Sequence, residues 1–142
     1  MLGIDTNILA YARLARSPLH EKAKSFLGEL ADDSQVVIAE HVLVELYLLL
    51  RNDKIISPPL SAEAAVRECS LFRSHPRWQL VDSVDVMNQV WPLAAARNFP
   101  RRKIFDLRLA KSLQSHGVTR FATANLEDFE NLGFEKVFNP LL

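Results

Sequence analysis

The stretch Leu2-Gly3-Ile4-Asp5-Thr6-Asn7-Ile8-Leu9 decides the fold of this chain. Its first three residues are apolar and predict a strand that begins almost at the first residue, with Asp5 placing a carboxylate at the carboxyl end of that strand. Open α/β sheets bind their ligands outside the carboxyl ends of their strands. Asp5 therefore predicts a functional site, and a helix is expected to follow it from Thr6 to Leu14.

Further along the chain, short apolar runs alternate with longer helical segments. The expected strands are Leu2–Asp5, Val36–Ala39, Trp78–Val81 and Arg120–Thr123, with a fifth at Glu135–Phe138 left open. Helices are expected from Ser17-Pro18, at Glu40–Arg51, from Ser61, at Val86–Asn98, at Ile104–Ser115 and at Glu127–Asn131. This alternation predicts an α/β fold with a parallel sheet covered by helices on both faces.

Length and composition narrow the possible classes of protein. A chain of 142 residues, 49% hydrophobic and 24% charged, fits one domain over residues 1–142. The formal net charge is zero, so any nucleic-acid site must come from local clustering. The single cysteine, Cys69, suits a reducing compartment. With no apolar stretch long enough for a membrane and no secretory signal, a cytoplasmic location is expected.

Glu45 is the clearest anomaly in the composition of the helices. It is the only polar position in the run from Val42 to Leu50. An ionised carboxylate on such a face loses hydration and needs a metal, a cationic partner or a proton. Two interpretations stay open: Glu45 belongs to a site, or it lies at the margin of the apolar face and pairs with an arginine or lysine.

Asp106 and the pair Asn125/Asp128 extend the set of candidate site residues. Asp106 lies at the start of a helix, on the same face as Leu109 and other residues that the helix should bury. Asn125 and Asp128 follow the strand that ends at Thr123. The helix dipole would account for Asp106, and turn formation or capping would account for Asn125 and Asp128, without any site.

Together these oxygen-bearing side chains predict a pocket for a divalent metal. Mg²⁺ and Mn²⁺ prefer oxygen ligands and keep several waters, so a few carboxylates suffice. The four histidines are scattered, and there is no paired-cysteine motif, so zinc is not expected. With only four glycines there is no phosphate-binding loop, and no Gly-x-Ser-x-Gly elbow is present.

A basic segment surrounds Asp106. Between Arg97 and Lys111 there are six basic residues and one acid, in a chain that is neutral as a whole. Arg101, Arg102 and Lys103 come directly before the predicted site, and Arg108 follows it. This placement predicts phosphate recognition beside the metal, although a solvated loop and helix face would also explain the charges.

Four short motifs in this order resemble the PIN domain family. They are Leu2–Leu9, Glu45 within an apolar helix, Phe105-Asp106-Leu107-Arg108-Leu109-Ala110, and Thr123-Ala124-Asn125-Leu126-Glu127-Asp128-Phe129. The resemblance covers essentially the whole chain, and the length and ending are similar to those of VapC-type toxins of toxin–antitoxin pairs. It implies a three-layer α/β/α fold with a central parallel sheet of four to five strands.

The resemblance also implies a function, a Mg²⁺- or Mn²⁺-dependent ribonuclease. Asp5 and Asp106 would hold the metal and Glu45 would position a water, while Thr6, Asn7 and Thr123 would support these acids. PIN domains usually carry a further acid after the fourth strand; here Asn125 occupies that position, and Asp128 follows three residues later. A small antitoxin and a second copy of the chain are the partners implied, with the segment Leu46–Leu50 as either interface or core.

Two competing functions remain from the sequence. One is a PIN-like RNA-binding or regulatory domain without activity, which the neutral Asn125 would suit. The other is a phosphotransfer domain, because Gly3-Ile4-Asp5-Thr6 is faintly similar to a phosphate motif of actin-like kinases. That function needs a glycine-rich turn after Asp5, which Asn7-Ile8-Leu9 does not supply.

Overall fold

The computed structural model describes residues 1–142 and contains one five-stranded sheet. Its strands are β1 (Leu2–Ile4), β2 (Val36–Ala39), β3 (Gln79–Val81), β4 (Arg120–Ala122) and β5 (Lys136–Phe138). All neighbours pair in parallel, in the order β3-β2-β1-β4-β5. The predicted parallel sheet is confirmed, and the fifth strand is present.

Seven helices accompany the sheet. They are α1 (Thr6–Tyr11), α2 (His20–Glu29), α3 (Glu40–Leu50), α4 (Ala62–Arg73), α5 (Met87–Ala94), α6 (Lys103–Ser115) and α7 (Leu126–Phe129). They pack in two groups, α1 to α4 and α5 to α7. Every residue of β1 and β2 is buried, and successive side chains of a strand point to opposite faces, so both faces of the sheet are covered. This confirms the three-layer architecture.

Several helix boundaries differ from those expected, for local reasons. The helix expected from Ser17 begins at His20, because the Ser17 hydroxyl instead accepts a hydrogen bond from the Leu19 amide within a turn. Helix α5 ends at Ala94, before the left-handed residue Asn98, whose φ is 66°. Helix α1 is also shorter than expected, ending at Tyr11. The predicted end of α6 is confirmed, since Gly117 has a φ of 86° directly after the C-cap.

The strand order places β1 at the centre of the sheet. The chain builds β1, β2 and β3 toward one edge and then crosses to build β4 and β5 on the other side. The point where the direction reverses, between β1 and β4, is where such sheets form a ligand crevice. Asp5 follows β1 and Thr123 follows β4, so both lie at this crevice. Because α1 begins at Thr6, no glycine-rich turn separates it from the strand, as the phosphotransfer alternative would require.

Close packing beneath the crevice keeps β1 and β4 together. Phe121 of β4 is fully buried, and its ring lies 4.6 Å from that of Phe129 and 5.0 Å from that of Phe134, centroid to centroid. A Cβ at Gly3 would lie 3.1 Å from Phe121 Cδ1 and 3.2 Å from Val118 Cγ1. Glycine therefore lets β1 approach this aromatic cluster closely, which fixes the strand that carries Asp5.

The apolar segment Leu46–Leu50 is mostly core. Leu46 and Leu50 are buried, Tyr47 and Leu49 are half-buried, and Leu48 is 62% exposed. Only part of this segment is available as the interface that the sequence suggested. The longest helix, α6, has 13 residues, and none of the helices combines the length and apolarity needed to cross a bilayer.

Candidate active site

A cavity of about 320 Å³ opens at the carboxyl ends of β1 and β4. Its polar wall consists of Asp5, Thr6, Asn7, His41, Glu45, Asp106, Asn125 and Asp128, and its apolar wall of Leu48, Leu49, Phe105, Leu109 and Phe129. The structure thus brings together all five side chains that the sequence singled out as catalytic candidates. They come from β1, α3, α6 and the segment after β4, which are far apart in the sequence.

Asp5 is held rigidly at the floor of this cavity. Its side chain accepts hydrogen bonds from the Thr6 amide at 2.8 Å and from the Thr123 hydroxyl at 2.7 Å. Burial raises the pKa of Asp5 to about 6, which outweighs the opposite effect of these two hydrogen bonds. The charges of Glu45 and Asp128 raise this pKa further. Asp5 is therefore a carboxylate fixed in place but short of compensating positive charge.

Thr123 and Asn7 connect β4 to Asp5. The Thr123 hydroxyl donates to Asp5 and accepts from the Asn125 amide at 3.0 Å and the Asn7 side-chain amide at 3.3 Å. The side-chain oxygen of Asn7, Oδ1, accepts a hydrogen bond from the Ala124 backbone amide at 3.1 Å. Thr123 is completely buried. These contacts give Thr123 and Asn7 the supporting position that the sequence predicted for them.

Glu45 is oriented by two partners from different elements. His41 Nε2 lies 2.9 Å from Glu45 Oε1, and the Thr6 hydroxyl donates to Glu45 Oε2 at 2.9 Å. The hydrogen bond with His41 is the main reason that the pKa of Glu45 lies below its usual value, and it raises the pKa of His41. Glu45 is consequently ionised at neutral pH, and its partner is a histidine, whereas the interpretation that placed Glu45 at the margin of the apolar face had it pair with an arginine or lysine.

His41 was not among the residues predicted from the sequence to belong to the site. The signal was present, because His41 and Glu45 are four residues apart and neighbours on one helix face. Histidine is the side chain whose charge changes near neutral pH, so its contact with Glu45 adds a titrating group to the cavity wall.

Asp106 faces the other acids from the first turn of α6. Partial burial raises the pKa of Asp106 to about 6, followed in effect by the charges of Asp128, Asp5 and Glu45. Lys103, one turn earlier on the chain, has the opposite effect. Among these three charges, that of Asp128 has the largest effect. The charges of all the other acids of the cavity therefore act on Asp106, and Asp128 acts most strongly.

Asn125 occupies the position before α7 without capping that helix through its side chain. Its backbone amide is engaged by Thr123, while the side chain is exposed and lines the cavity. Asp128 is exposed on the same wall. Capping does not explain why Asn125 is at this position.

The basic residues surround the cavity but do not line it. Arg101 and Arg102 are exposed just before α6, and the ammonium group of Lys103 lies 3.5 Å from the Glu127 carbonyl oxygen. Arg108 is also exposed and borders a small adjoining cleft. Of these cations, Lys103 acts on the pKa of Asp106, and none of the four lines the cavity.

The donor set fits a hydrated divalent cation. No three histidine, cysteine or carboxylate side chains converge closely enough to form a ready-made metal shell. The four acids instead line a cavity that also has room for water. Burial, and after it the charges of the neighbouring acids, raises the pKa of Asp5 and of Asp106. Mg²⁺ keeps several waters when bound to proteins, so such an open arrangement suits it better than it suits zinc.

Thr123→Val is expected to lower RNA-cleaving activity by about 10- to 100-fold, because Thr123 orients Asp5 from outside the cavity. The change also leaves the Asn125 amide without its partner, which costs about 1–3 kcal/mol of stability. The checks are cleavage kinetics and thermal denaturation, with Thr123→Ser as the matched control because serine keeps the hydroxyl. Equal activity of the valine and serine variants would contradict this role.

The fold and the carboxylate cavity together indicate the class of protein to which this chain belongs. The family model described as PIN domain matches residues 3–135, and the chain belongs to that family. It is 46% identical over 141 residues to Ribonuclease VapC24 of Mycobacterium tuberculosis, an alignment that covers 99% of this chain and 97% of that relative. Ribonuclease VapC48 of the same organism is 28% identical over 119 residues, or 80% of each chain.

Solved structures have the same fold. M. tuberculosis VapC20, described as a Sarcin-Ricin loop cleaving toxin, superposes with a TM-score of 0.69 at 20% identity, covering 94% of this chain and 96% of that one. FitAcB from Neisseria gonorrhoeae gives a TM-score of 0.65 at 20% identity, covering 99% and 98%. VapBC2 from Rickettsia felis, bound to a DNA fragment from its promoter, gives 0.64 at 18% identity, covering 97% of each chain.

Proposed function

We propose that this protein is a divalent-metal-dependent endoribonuclease that hydrolyses RNA phosphodiester bonds as the toxin of a toxin–antitoxin pair. The observation that carries the proposal is the convergence of Asp5, Glu45, Asp106 and Asp128 on one open cavity. The likeness to Ribonuclease VapC24 along nearly the whole chain supports the same function. The proposal takes residues 1–142 as a single domain, supported by one sheet built from both halves of the chain.

Asp5 and Asp106 are the proposed metal ligands. Both have a pKa of about 6, so both are ionised at neutral pH while still crowded by like charge. A cation between them would relieve this repulsion. Mg²⁺ or Mn²⁺ is the proposed cofactor because both ligands, like the other two acids of the cavity, offer carboxylate oxygens. A bound divalent ion supplies a Lewis acid that lowers the pKa of a water and stabilises charge on the phosphate.

Glu45 is the proposed base that orients the attacking water. His41 and Thr6 fix both of its oxygens and keep it ionised, so it can accept a hydrogen bond or a proton from that water. The water oxygen forms a bond to phosphorus while the bond from phosphorus to the leaving ribose oxygen breaks. The leaving oxygen takes up a proton, which balances the one released by the water.

Asp128 is the proposed fourth acid. The family position directly after β4 carries the neutral Asn125, which can offer only a weak carbonyl ligand. Asp128 restores negative charge one turn later. The charge of Asp128 raises the pKa of Asp106 more than the charge of Asp5 does. We propose that the Asn125 side chain contacts either the substrate or the hydrated metal ion. This compensation favours an active enzyme over an inactive regulatory domain.

Arg101, Arg102, Lys103 and Arg108 are the proposed RNA-binding residues. They lie outside the cavity wall, so they would contact phosphates flanking the scissile one, not that phosphate itself. Such contacts add affinity that falls as the salt concentration rises.

The proposed partners are a small antitoxin protein and a second copy of this chain. The related structures include FitAB bound to a DNA fragment and VapBC2 bound to its promoter DNA, which supports a protein partner of this kind. We propose a cytoplasmic location, with which an antitoxin partner and an RNA substrate would agree. The exposed apolar residues Val44 and Leu48 of α3 are available for either protein contact.

The test of this function is cleavage of a labelled single-stranded RNA by the purified protein. We expect cleavage with Mg²⁺ or Mn²⁺, its loss in excess EDTA, and its return when the metal is restored. Internal fragments identify an endonuclease. Absence of cleavage at any Mn²⁺ concentration would favour the inactive regulatory domain, and cleavage that persists in EDTA would refute metal dependence.

A further inference from the structure

Phe105 is an exposed aromatic residue on the rim of the carboxylate cavity. Its side chain is 62% exposed, although it lies in α6 directly before Asp106. Aromatic side chains ordinarily contribute large buried areas to a core. Phe105 leaves most of its ring in water, so its presence at this position is not explained by packing.

Phe105 lines two clefts of different character. The carboxylate cavity and a smaller adjoining cleft share His41, Phe105 and Leu109. The smaller cleft adds Ser83 and the exposed cation Arg108. The charge of Arg108 also lowers the pKa of His41, which shows that the two groups are close enough to interact. Phe105 is therefore shared by a cavity lined with acids and a smaller cleft lined by a cation.

We propose that Phe105 is a stacking platform for an unpaired RNA base next to the scissile phosphate, with Arg108 contacting the neighbouring phosphate. The inference rests on the proposed ribonuclease function and deepens it by naming a specificity determinant. Aromatic side chains stack on any base, and duplex RNA hides its base faces. Phe105 thus restricts cleavage to single-stranded or splayed-out nucleotides.

The surroundings of the ring favour a nucleotide over an apolar protein surface. A nucleotide presents a flat apolar face bordered by negative phosphate, which matches a ring bordered by Arg108. An apolar surface placed here would bury Asp106 and Arg108 without partners, at considerable cost. Leu48 and Leu49 also line the cavity and would offer apolar contacts to the same nucleotide.

The experiment measures cleavage of a single-stranded RNA whose cleavage position has been mapped with the wild-type protein. Phe105→Ala is expected to raise KM by about 5- to 150-fold, the range set by loss of one base stack, with a smaller change in kcat. Phe105→Trp should retain the wild-type KM. Trp91→Ala is the matched control, because Trp91 is 61% exposed on α5 and does not line the cavity.

A second arm removes bases in place of the ring. RNAs carrying one abasic nucleotide are scanned through the positions around the cleavage site. At one position, base removal should impair the wild-type protein as much as Phe105→Ala does, and should not impair Phe105→Ala any further. This non-additivity identifies the base that stacks on Phe105.

The results separate this inference from the ribonuclease function. Two results overturn the stacking role alone, provided that the wild-type protein cleaves RNA. One is a Phe105→Ala variant with the wild-type KM, and the other is base removal that impairs the wild-type protein and Phe105→Ala independently at every abasic position. The stacking role is also overturned if Phe105→Ala alters the sedimentation of the free protein but not its cleavage kinetics, since the ring then contacts a second copy of the chain. A wild-type protein that cleaves no RNA overturns the ribonuclease function and the stacking role with it.

Discussion

Asp5→Asn is expected to lower metal-dependent RNA cleavage by more than about 100-fold, because changes one step removed from a metal already cost about 10- to 100-fold. The amide has the size of the carboxylate but only one oxygen. Its nitrogen would face the Thr123 hydroxyl, which already accepts from Asn7 and Asn125. The measurement is single-turnover cleavage, with circular dichroism to verify that the fold is intact.

Asp82→Asn is the matched control for this change. Asp82 is an exposed carboxylate that directly follows β3, so it also lies at the carboxyl end of a strand, but it does not line the cavity. The control should cleave at the wild-type rate. Wild-type activity of a folded Asp5→Asn variant would remove Asp5 from the site.

Asp106→Asn is expected to stabilise the metal-free protein at pH 8. The pKa of Asp106 is about 6 in the folded state against an ordinary 3.8, so the folded state holds its proton more tightly than the unfolded state does. Stability is therefore lost as the pH rises from about 4 through 6 and stays low above that range. Removing the charge should recover about 1 kcal/mol, a value discounted for partial exposure, or roughly 2–4 °C in Tm.

Thermal denaturation in EDTA at pH 4 and pH 8 measures this effect. The gain of Asp106→Asn should disappear at pH 4, where the wild-type group is protonated, and Asp82→Asn should show no gain at either pH. Mg²⁺ or Mn²⁺ should reverse the order at pH 8, since a ligand at 100 times its Kd stabilises the folded state by about 2.7 kcal/mol. A variant less stable than the wild type in EDTA at pH 8 would show that burial and the neighbouring acids do not destabilise the ionised form of Asp106.

The sequence predicted the architecture because burial leaves a clear pattern. β1 and β2 are buried on both faces, and such strands appear as short continuous apolar runs separated by helical periodicity. Helix ends were harder to predict. Ser17 caps a turn in place of α2, and Asn98 adopts the left-handed conformation, and neither outcome is visible from the residue type.

Two acids of the cavity stood out in the sequence because each departs from a local pattern. Glu45 interrupts an apolar helix, and Asp106 lies above a buried stripe, so both stood out without knowledge of the fold. Thr6 was predicted to support the acids, but its hydrogen bond to Glu45 and the contact of His41 with Glu45 are visible only in the folded chain. Only the folded chain also shows that Phe105 lines a cleft with Arg108 as well as the carboxylate cavity.

The most direct test of the central claim is the dependence of single-turnover RNA cleavage on Mn²⁺ concentration for the wild type and Asp5→Asn. If the carboxylate cavity holds the metal that cleaves RNA, the wild-type rate rises with Mn²⁺ and saturates, while the variant needs a much higher concentration and stays slower at saturation. Superimposable curves for the two proteins would show that the cleaving metal is bound elsewhere.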